Sequence, residues 1–326
     1  MRKLRITKEA WPLLKAFNIS RASLTESYVL TVEIRDGSFV GRGECEPHES
    51  DETQMDHVEG LIENIRPEIE NGLTRQALQD LLPTGPARNA VDCALWDLEA
   101  KTKGTRAWNI AGIGLEKPLV TAYTISINTS EEMAKEAHAH RRKSLLKLKL
   151  GTDGSLDRLA AVRKAAPNSI LIVDANEAWA FAELNRLVPA FAAQGVALIE
   201  QPLPHGADQI LSTYNGSIPL CADESCLDRR SLDEVVGRYE FINIKLDKTG
   251  GLTEALLLAK EAKKRGLRIM VGCMTSTSLA MAPAMLIGAD AEFCDLDGPL
   301  LLAKDRAQHL TYDGNMLHLP PVDVWG

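Results

Sequence analysis

The sequence predicts an α/β chain: a (β/α) barrel preceded by a small α+β domain. From about residue 118 eight short strand-like runs alternate with helix-length segments, and ionisable residues end many of those runs, whereas the first 117 residues show no such alternation. Alternation of this kind makes a barrel or a doubly wound parallel sheet. No glycine-rich dinucleotide fingerprint follows an early strand, and chemically capable residues close many strands instead of clustering at one switch point. A barrel gathers the ends of its strands on one face and spends ~250 residues on eight units, so it accounts for both features.

The elements follow in order. Within residues 1–117, TESYVLTVEIRDGSFVGRGE places β-rich runs on either side of Asp36-Gly37, a pair that favours a tight hairpin turn. Helical patterns come next at 53–70, 75–82 and 87–103, with Gly104 as a stop. Residues 118–300 carry the barrel strands TAYTISI, LLKLKL, ILIVDAN, ALIEQPL, PLCADES, FINIKLD, RIMVGCM and FCDLDGP. The helical segment GLTEALLLAKEAKKRG closes on Gly266, and the short stretch 205–213 predicts a reduced helix between strands four and five. In residues 301–326 the rhythm stops, and GNMLHLP is expected to return a strand to the first domain.

Composition bounds the function. With 326 residues, 45% apolar and 25% charged, the chain can bury a large core over about two domains. The net charge is −8 and the dense basic runs are two short ones, Arg141-Arg142-Lys143 and Lys263-Lys264-Arg265, so the basic stripe of a nucleic-acid groove is missing. The N-terminus MRKLRITKEAWPLL has no apolar signal core, and no apolar run approaches membrane-spanning length. Six cysteines without a CxxC pair read as buried thiols of a reducing compartment. A cytoplasmic enzyme with no nucleic-acid or membrane partner is expected, and a homo-oligomer is compatible with all of this.

The chemistry sits in five residues: Lys149, Asp174, Glu200, Asp223 and Lys245, spaced 25, 26, 23 and 22 residues apart, each ending an apolar run. In a barrel they meet at one mouth. Three carboxylates suit a hard divalent cation, for which Mg²⁺ is the economical choice, and two lysines suit proton transfer. Without a cation, three packed carboxylates would push one pKa up. Lys147 and Lys149 lie two apart and share a strand face, opposite Leu146, Leu148 and Leu150. Alone, KxK reads as the wet face of an edge strand; in a barrel strand the leucines pack under helices and the lysines point inward. Asn176 is the better-placed helix cap, which frees Asp174 for the mouth, and Glu224 should alternate away from Asp223. Asn243, Lys245 and Asp247 share a face. Asp295 and Asp297 repeat the two-apart pattern on the last strand, where they are either structural or, as paired inward carboxylates, a seat for a substrate ammonium. Arg21, the only cation of residues 18–25, is a loop arginine whose function depends on the first domain covering the mouth.

The motifs KLKLG, VDANEAW, IEQPLP, ADES and NIKLDKTGG resemble the enolase superfamily in its muconate-lactonizing-enzyme-like branch, over almost the full length. With CDLDGP and VGCMTSTSLAMAPA the chain is similar to the dipeptide epimerases within it. The resemblance implies a (β/α)7β barrel under an N-terminal capping domain, one Mg²⁺ on Asp174, Glu200 and Asp223, and a small dipeptide substrate, with L-Ala-D/L-Glu the leading candidate. It implies inversion of the α-carbon of the C-terminal residue by two-base 1,1-proton transfer through an ene-diolate. Lys149 and Lys245 would be the bases. Lys147 would support them by lowering its neighbour's pKa and holding the substrate carboxylate. Asp295 and Asp297 would hold the ammonium, Thr124 would lie in the peptide site, and Arg21 would meet the glutamyl carboxylate. Dipeptide epimerases of other preference, o-succinylbenzoate synthases and cycloisomerases share the scaffold. A non-catalytic binder would have no need of two opposed bases.

Overall fold

A computed structural model describes residues 2–20, 22–47 and 52–326, with the backbone alone for residues 52 and 53. The chain opens with an antiparallel sheet of β1 (Lys3–Asn18), β2 (Ser23–Asp36) and β3 (Phe39–Cys45), turning at Asp36-Gly37 as the hairpin signal requires. Four helices follow: α1 (Glu52–Asn64), α2 (Arg66–Glu70), α3 (Arg75–Leu81) and α4 (Pro86–Lys103). The expected helix over 53–70 is thus two helices, broken at Ile65 ahead of Pro67, whose ring cannot continue an upstream helix. Helix α4 lies hard against β3, and at Gly43 any side chain would strike the backbone of Ala90. Leu30, Val32 and Ile34 of β2 pack with Val91, Ala94 and Leu98 of α4 into this domain's own core.

A short helix α5 (Ala107–Ala111) and strand β4 (Leu119–Val120) lead into the barrel. Its strands are β5 (Tyr123–Ile125), β6 (Leu145–Lys149), β7 (Ile170–Asp174), β8 (Val196–Glu200), β9 (Leu220–Ala222), β10 (Phe241–Ile244), β11 (Arg268–Val271) and β12 (Phe293–Cys294). All pair in parallel in sequence order, and the sheet closes on itself through a parallel bridge between Thr121 and Cys294. Helices α6 (Ser130–Ala139), α7 (Ser155–Ala165), α8 (Phe181–Ala193), α9 (Leu232–Val235), α10 (Leu246–Thr249), α11 (Leu252–Lys264) and α12 (Ser278–Gly288) fall between the strands, and α13 (Gly298–Leu301) follows the last. The reduced connection after β8 is a 3₁₀ turn at Gln209–Thr213.

One expectation is corrected here. The strand in GNMLHLP, β14 (Met316–Leu317), pairs with β13 (Tyr312–Asp313) and with β4, not with the first-domain sheet. The chain end reaches the first domain without a strand: Trp325 Nε1 donates to Cys93 O at 3.0 Å and Gly326 N to Asp97 Oδ1 at 2.7 Å, both on α4. Among the described residues no helix is long and apolar enough to cross a membrane.

The first domain is clamped onto the barrel by buried polar contacts. Arg88 of α4 donates to Thr249 O (2.7 Å) and Gly250 O (3.1 Å). Arg306, beyond the barrel, joins Glu9 of β1 (2.6 Å), Glu44 of β3 (2.6 Å) and Thr277 at the start of α12 (2.7 Å). Where β1 ends, Asn18 exchanges hydrogen bonds with Ile127, which brings Ile19 and Ala22 over the barrel mouth.

Candidate active site

Side chains in a strand alternate, so every second residue of a barrel strand faces inward. Leu145, Ile172, Leu198, Cys221, Phe241 and Met270, one per strand, form an apolar plug with Phe293 against it. Two residues further along each segment stand Lys147, Asp174, Glu200, Asp223, Asn243, Gly272 and Asp295. The interior therefore changes from hydrocarbon to charge within one step of the pleat. Gly272 is small for a reason: a Cβ there would come within 2.6 Å of Asn243 Oδ1.

The charges in this layer are paired. Lys147 Nζ lies 2.7 Å from Glu200 Oε2, 2.7 Å from Asp295 Oδ2 and 3.1 Å from Asp174 Oδ2. Lys149 Nζ donates to Asp174 Oδ2 at 2.6 Å, and Lys245 Nζ to Asp223 Oδ2 at 2.6 Å. Lys248 Nζ donates to Asp223 Oδ1 at 2.5 Å and to Asn243 O at 2.9 Å. Asn243 Nδ2 donates to Glu200 Oε1 at 2.7 Å. On the last strand's side, Thr124 N donates to Asp297 Oδ2 at 2.6 Å and Thr124 Oγ1 to Asp295 Oδ1 at 3.3 Å. All of these residues are buried.

Burial and neighbours move the titrations in opposite directions. Burial alone would lower Lys147, but Asp295, Glu200 and Asp174 together raise it well above an ordinary lysine. Lys245 is likewise raised by Asp223 against burial. Burial would raise Asp223, yet Lys245 and Lys248 hold it well below the usual carboxylate range, and Lys149 with Lys147 does the same for Asp174. Glu200 goes the other way, pushed up to about 7 by burial and by the charge of Asp174. Asp297 is also pushed up to about 7, by burial and by Asp295.

Glu200, Asp174 and Asp223 fit a hard cation by the chemistry of their donors: three carboxylates at the ends of consecutive strands, all oxygen. Glu200 Oε2 supplies the specific sign. It lies near Lys147 but off the hydrogen-bonding angle, so this buried oxygen accepts no hydrogen bond. Among the described residues no three acidic, histidine or cysteine side chains close on a common point at ligand spacing as they stand. Each of the three carboxylates is turned onto a lysine ammonium, which holds the positive charge that a cation would bring.

Above this layer opens a cavity of about 620 Å³, bounded below by Lys147, Lys149, Asp223, Lys245, Asp295 and Asp297, and above by Phe17, Ile19, Ala22 and Leu24 of the first domain. Thr124 lines it too, while Asp174 and Glu200 are buried behind the lining. Of the residues singled out in the sequence, only Arg21 lies outside the described residues.

Two expectations are corrected. Asn176 does not cap a helix: α8 starts at Phe181, and Asn176 sits at φ 42°, its N–H donating to Asp174 Oδ1 at 2.9 Å. Glu224 lines the same cavity as Asp223, because β9 ends at Ala222 and strand alternation no longer applies beyond it. Lys248 was missed by strand logic. Its signal was there, for Lys245 and Lys248 are three apart across the helical turn α10, a spacing that returns to one face.

Comparison with known proteins agrees with the fold. The family described as mandelate racemase / muconate lactonizing enzyme, N-terminal domain, matches residues 1–112, and that described as enolase C-terminal domain-like matches residues 130–320. The L-Ala-D/L-Glu epimerase of Escherichia coli (strain K12) is 43% identical over 325 residues, 98% of this chain and 100% of that protein. An N-acetyl-D-glutamate racemase of Pseudoalteromonas sp is 45% identical over 310 residues, 91% of this chain and 95% of that one. A crystal structure of an Agrobacterium tumefaciens enolase family member with homology to dipeptide epimerases, with bound sodium and L-Ala-L-Glu, superposes with a TM-score of 0.96 at 46% identity, covering 100% of both chains. A dipeptide epimerase from Methylococcus capsulatus, complexed with Mg and L-Arg-D-Lys, superposes at 0.86 with 28% identity over 97% of this chain and 96% of that one.

Proposed function

The chain belongs to the mandelate racemase/muconate lactonizing enzyme family of the enolase superfamily, and from that membership we propose that it is a Mg²⁺-dependent dipeptide epimerase, acting on L-Ala-D/L-Glu. One observation carries the proposal. Lys149 on β6 and Lys245 just past β10, with β7, β8 and β9 between them in the sheet, line one cavity that also presents Asp295 and Asp297. Ammonium groups on separate walls suit proton transfer at two faces of one carbon, and a seat of two carboxylates suits a free amine.

Asp174, Glu200 and Asp223 would hold the Mg²⁺, which when bound supplies positive charge where the substrate carboxylate gains negative charge as its α-proton leaves. Lys149 serves one face of the α-carbon and Lys245 the other. In one direction Lys149 takes the proton and Lys245 returns one from the opposite side; in the reverse direction the roles exchange. Lys147, fixed among carboxylates, faces the substrate carboxylate. Asp295 and Asp297 receive the N-terminal ammonium, and Thr124 steadies both. Arg21 is assigned to the glutamyl carboxylate.

An N-acylated amino acid is the rival substrate, given the racemase relative, but an acyl nitrogen carries no charge for the Asp295–Asp297 seat. The free thiols of all six cysteines suit a reducing compartment, so the activity is assigned to the cytoplasm, with murein-peptide recycling as its setting. ¹H NMR in D₂O with Mg²⁺ tests the reading: the glutamyl α-proton signal of L-Ala-L-Glu should disappear as L-Ala-D-Glu forms. Turnover of N-acetylglutamate with no exchange in any free dipeptide would overturn it.

A further inference from the structure

The last of the three carboxylates does not sit on a strand. Asp223 follows the end of β9, and something other than the ladder must fix its backbone. That support comes from Gln201, the residue after Glu200. Gln201 is fully buried and holds φ at 33°, a left-handed backbone that a non-glycine residue adopts only when its surroundings enforce it. Its Oε1 accepts from Asp223 N at 2.9 Å and from Ser225 N at 3.2 Å. Its Nε2 faces Ser225 Oγ (2.8 Å), Leu203 O (2.9 Å) and Tyr239 OH (3.1 Å).

The direction of these bonds is set from below. Asp208, itself buried, accepts from Ser225 Oγ at 2.6 Å and from Tyr239 OH at 2.8 Å, with Arg238 3.2 Å from its other oxygen. Both hydroxyl protons therefore go to Asp208, and the hydroxyl lone pairs are left for Gln201 Nε2. The amide can then face only one way, with its oxygen toward the backbone of Asp223. An amide turned about would set its NH₂ against two N–H groups.

We propose that Gln201, with Ser225, Tyr239 and Asp208 behind it, is a positioning device that ties the strand end bearing Glu200 to the loop bearing Asp223 and so sets the affinity of the site for its divalent cation. The inference rests on the cation reading above but concerns residues outside the ligand set. Outer supports of metal ligands generally change affinity ten- to a hundredfold when removed.

The test is isothermal titration of MgCl₂ into the full-length protein, its Gln201→Ala and Tyr239→Phe variants, and Asp223→Asn as the ligand-loss control, with thermal unfolding measured on each. Gln201→Ala should weaken Mg²⁺ binding by about ten- to a hundredfold. Tyr239→Phe, which removes one hydroxyl and keeps the ring, should weaken it in the same direction by less, and it decides the matter if Gln201→Ala does not fold. A purely structural network would lower the unfolding temperature and leave Mg²⁺ affinity equal to the parent's, which would overturn the proposal. A parent that binds no Mg²⁺ would overturn the cation reading and this inference with it.

Discussion

Replacing Asp297 by asparagine should damage catalysis while leaving the fold intact, and the size and pH dependence of the damage follow from the site. Asp297 is buried and its Oδ2 accepts from Thr124 N at 2.6 Å, a bond that an asparagine oxygen can keep. What is lost is the charge meeting the substrate ammonium. A charge-assisted hydrogen bond in a desolvated site contributes about 1.5–3 kcal/mol, so kcat/KM for L-Ala-L-Glu should fall about ten- to more than a hundredfold at pH 8. Burial and Asp295 push Asp297 up to about 7. Below that pH the wild-type carboxyl is itself protonated and resembles the variant, so the ratio of wild type to variant should shrink toward one as pH falls through about 7. Stability moves oppositely. A carboxyl raised in the folded state above its ordinary value contributes stability below the unfolded pKa and loses it as pH rises through the folded one. At pH 8 the buried charge of the wild type costs up to about 4 kcal/mol, and Asp297→Asn should unfold at the same temperature or higher. Steady-state kinetics from pH 6 to 9, with N-acetyl-Ala-Glu as the substrate lacking the ammonium, and thermal unfolding at pH 8 are the assays. A loss independent of pH, or a variant that handles free dipeptide like wild type, would refute the ammonium seat.

Two further outcomes are expected. Arg21→Ala should reduce turnover of L-Ala-L-Glu far more than that of a dipeptide with an apolar second residue; equal losses on both would place Arg21 in loop stability. Arg306→Ala should destabilise the protein by about 3 kcal/mol in urea unfolding, because it leaves the carboxylate of Glu44, fully buried, without its cation; a change under about 0.5 kcal/mol would make the clasp no stronger than a surface ion pair.

The sequence was legible where one periodicity held. Parallel strands buried on both faces read as short apolar runs, and the two-residue period inside LLKLKL, together with the carboxylates that end ILIVD and ALIE, was enough to bring Lys147, Lys149, Asp174 and Glu200 to one end of the barrel interior. Legibility ended one residue past the strands, at Asp223 and Lys245. Glu224 and Lys248 lie past the last residues of β9 and β10, where the backbone turns and alternation no longer says which way a side chain points. Asn176 looked like a cap because asparagine after a strand commonly is one; here the left-handed backbone carries its N–H back to Asp174. The β14 strand could not be placed because two residues carry no pattern, and its partner β4 is just as short. The Gln201–Asp208 network was invisible for another reason: it joins residues 201, 208, 225 and 239, which share no period at all.

The central claim is that two lysines serve opposite faces of one α-carbon, and hydrogen exchange in single-lysine variants tests it most directly. Inversion in either direction needs both groups, so Lys149→Ala and Lys245→Ala should each abolish conversion of L-Ala-L-Glu to L-Ala-D-Glu and the reverse. The lysine that remains can still remove the proton facing it and return deuterium from solvent. Followed by ¹H NMR in D₂O with Mg²⁺, Lys149→Ala should therefore exchange the glutamyl α-hydrogen of one epimer only, and Lys245→Ala that of the other only. Exchange of the same epimer by both variants, or inversion near the wild-type rate by either, would contradict the two-base account.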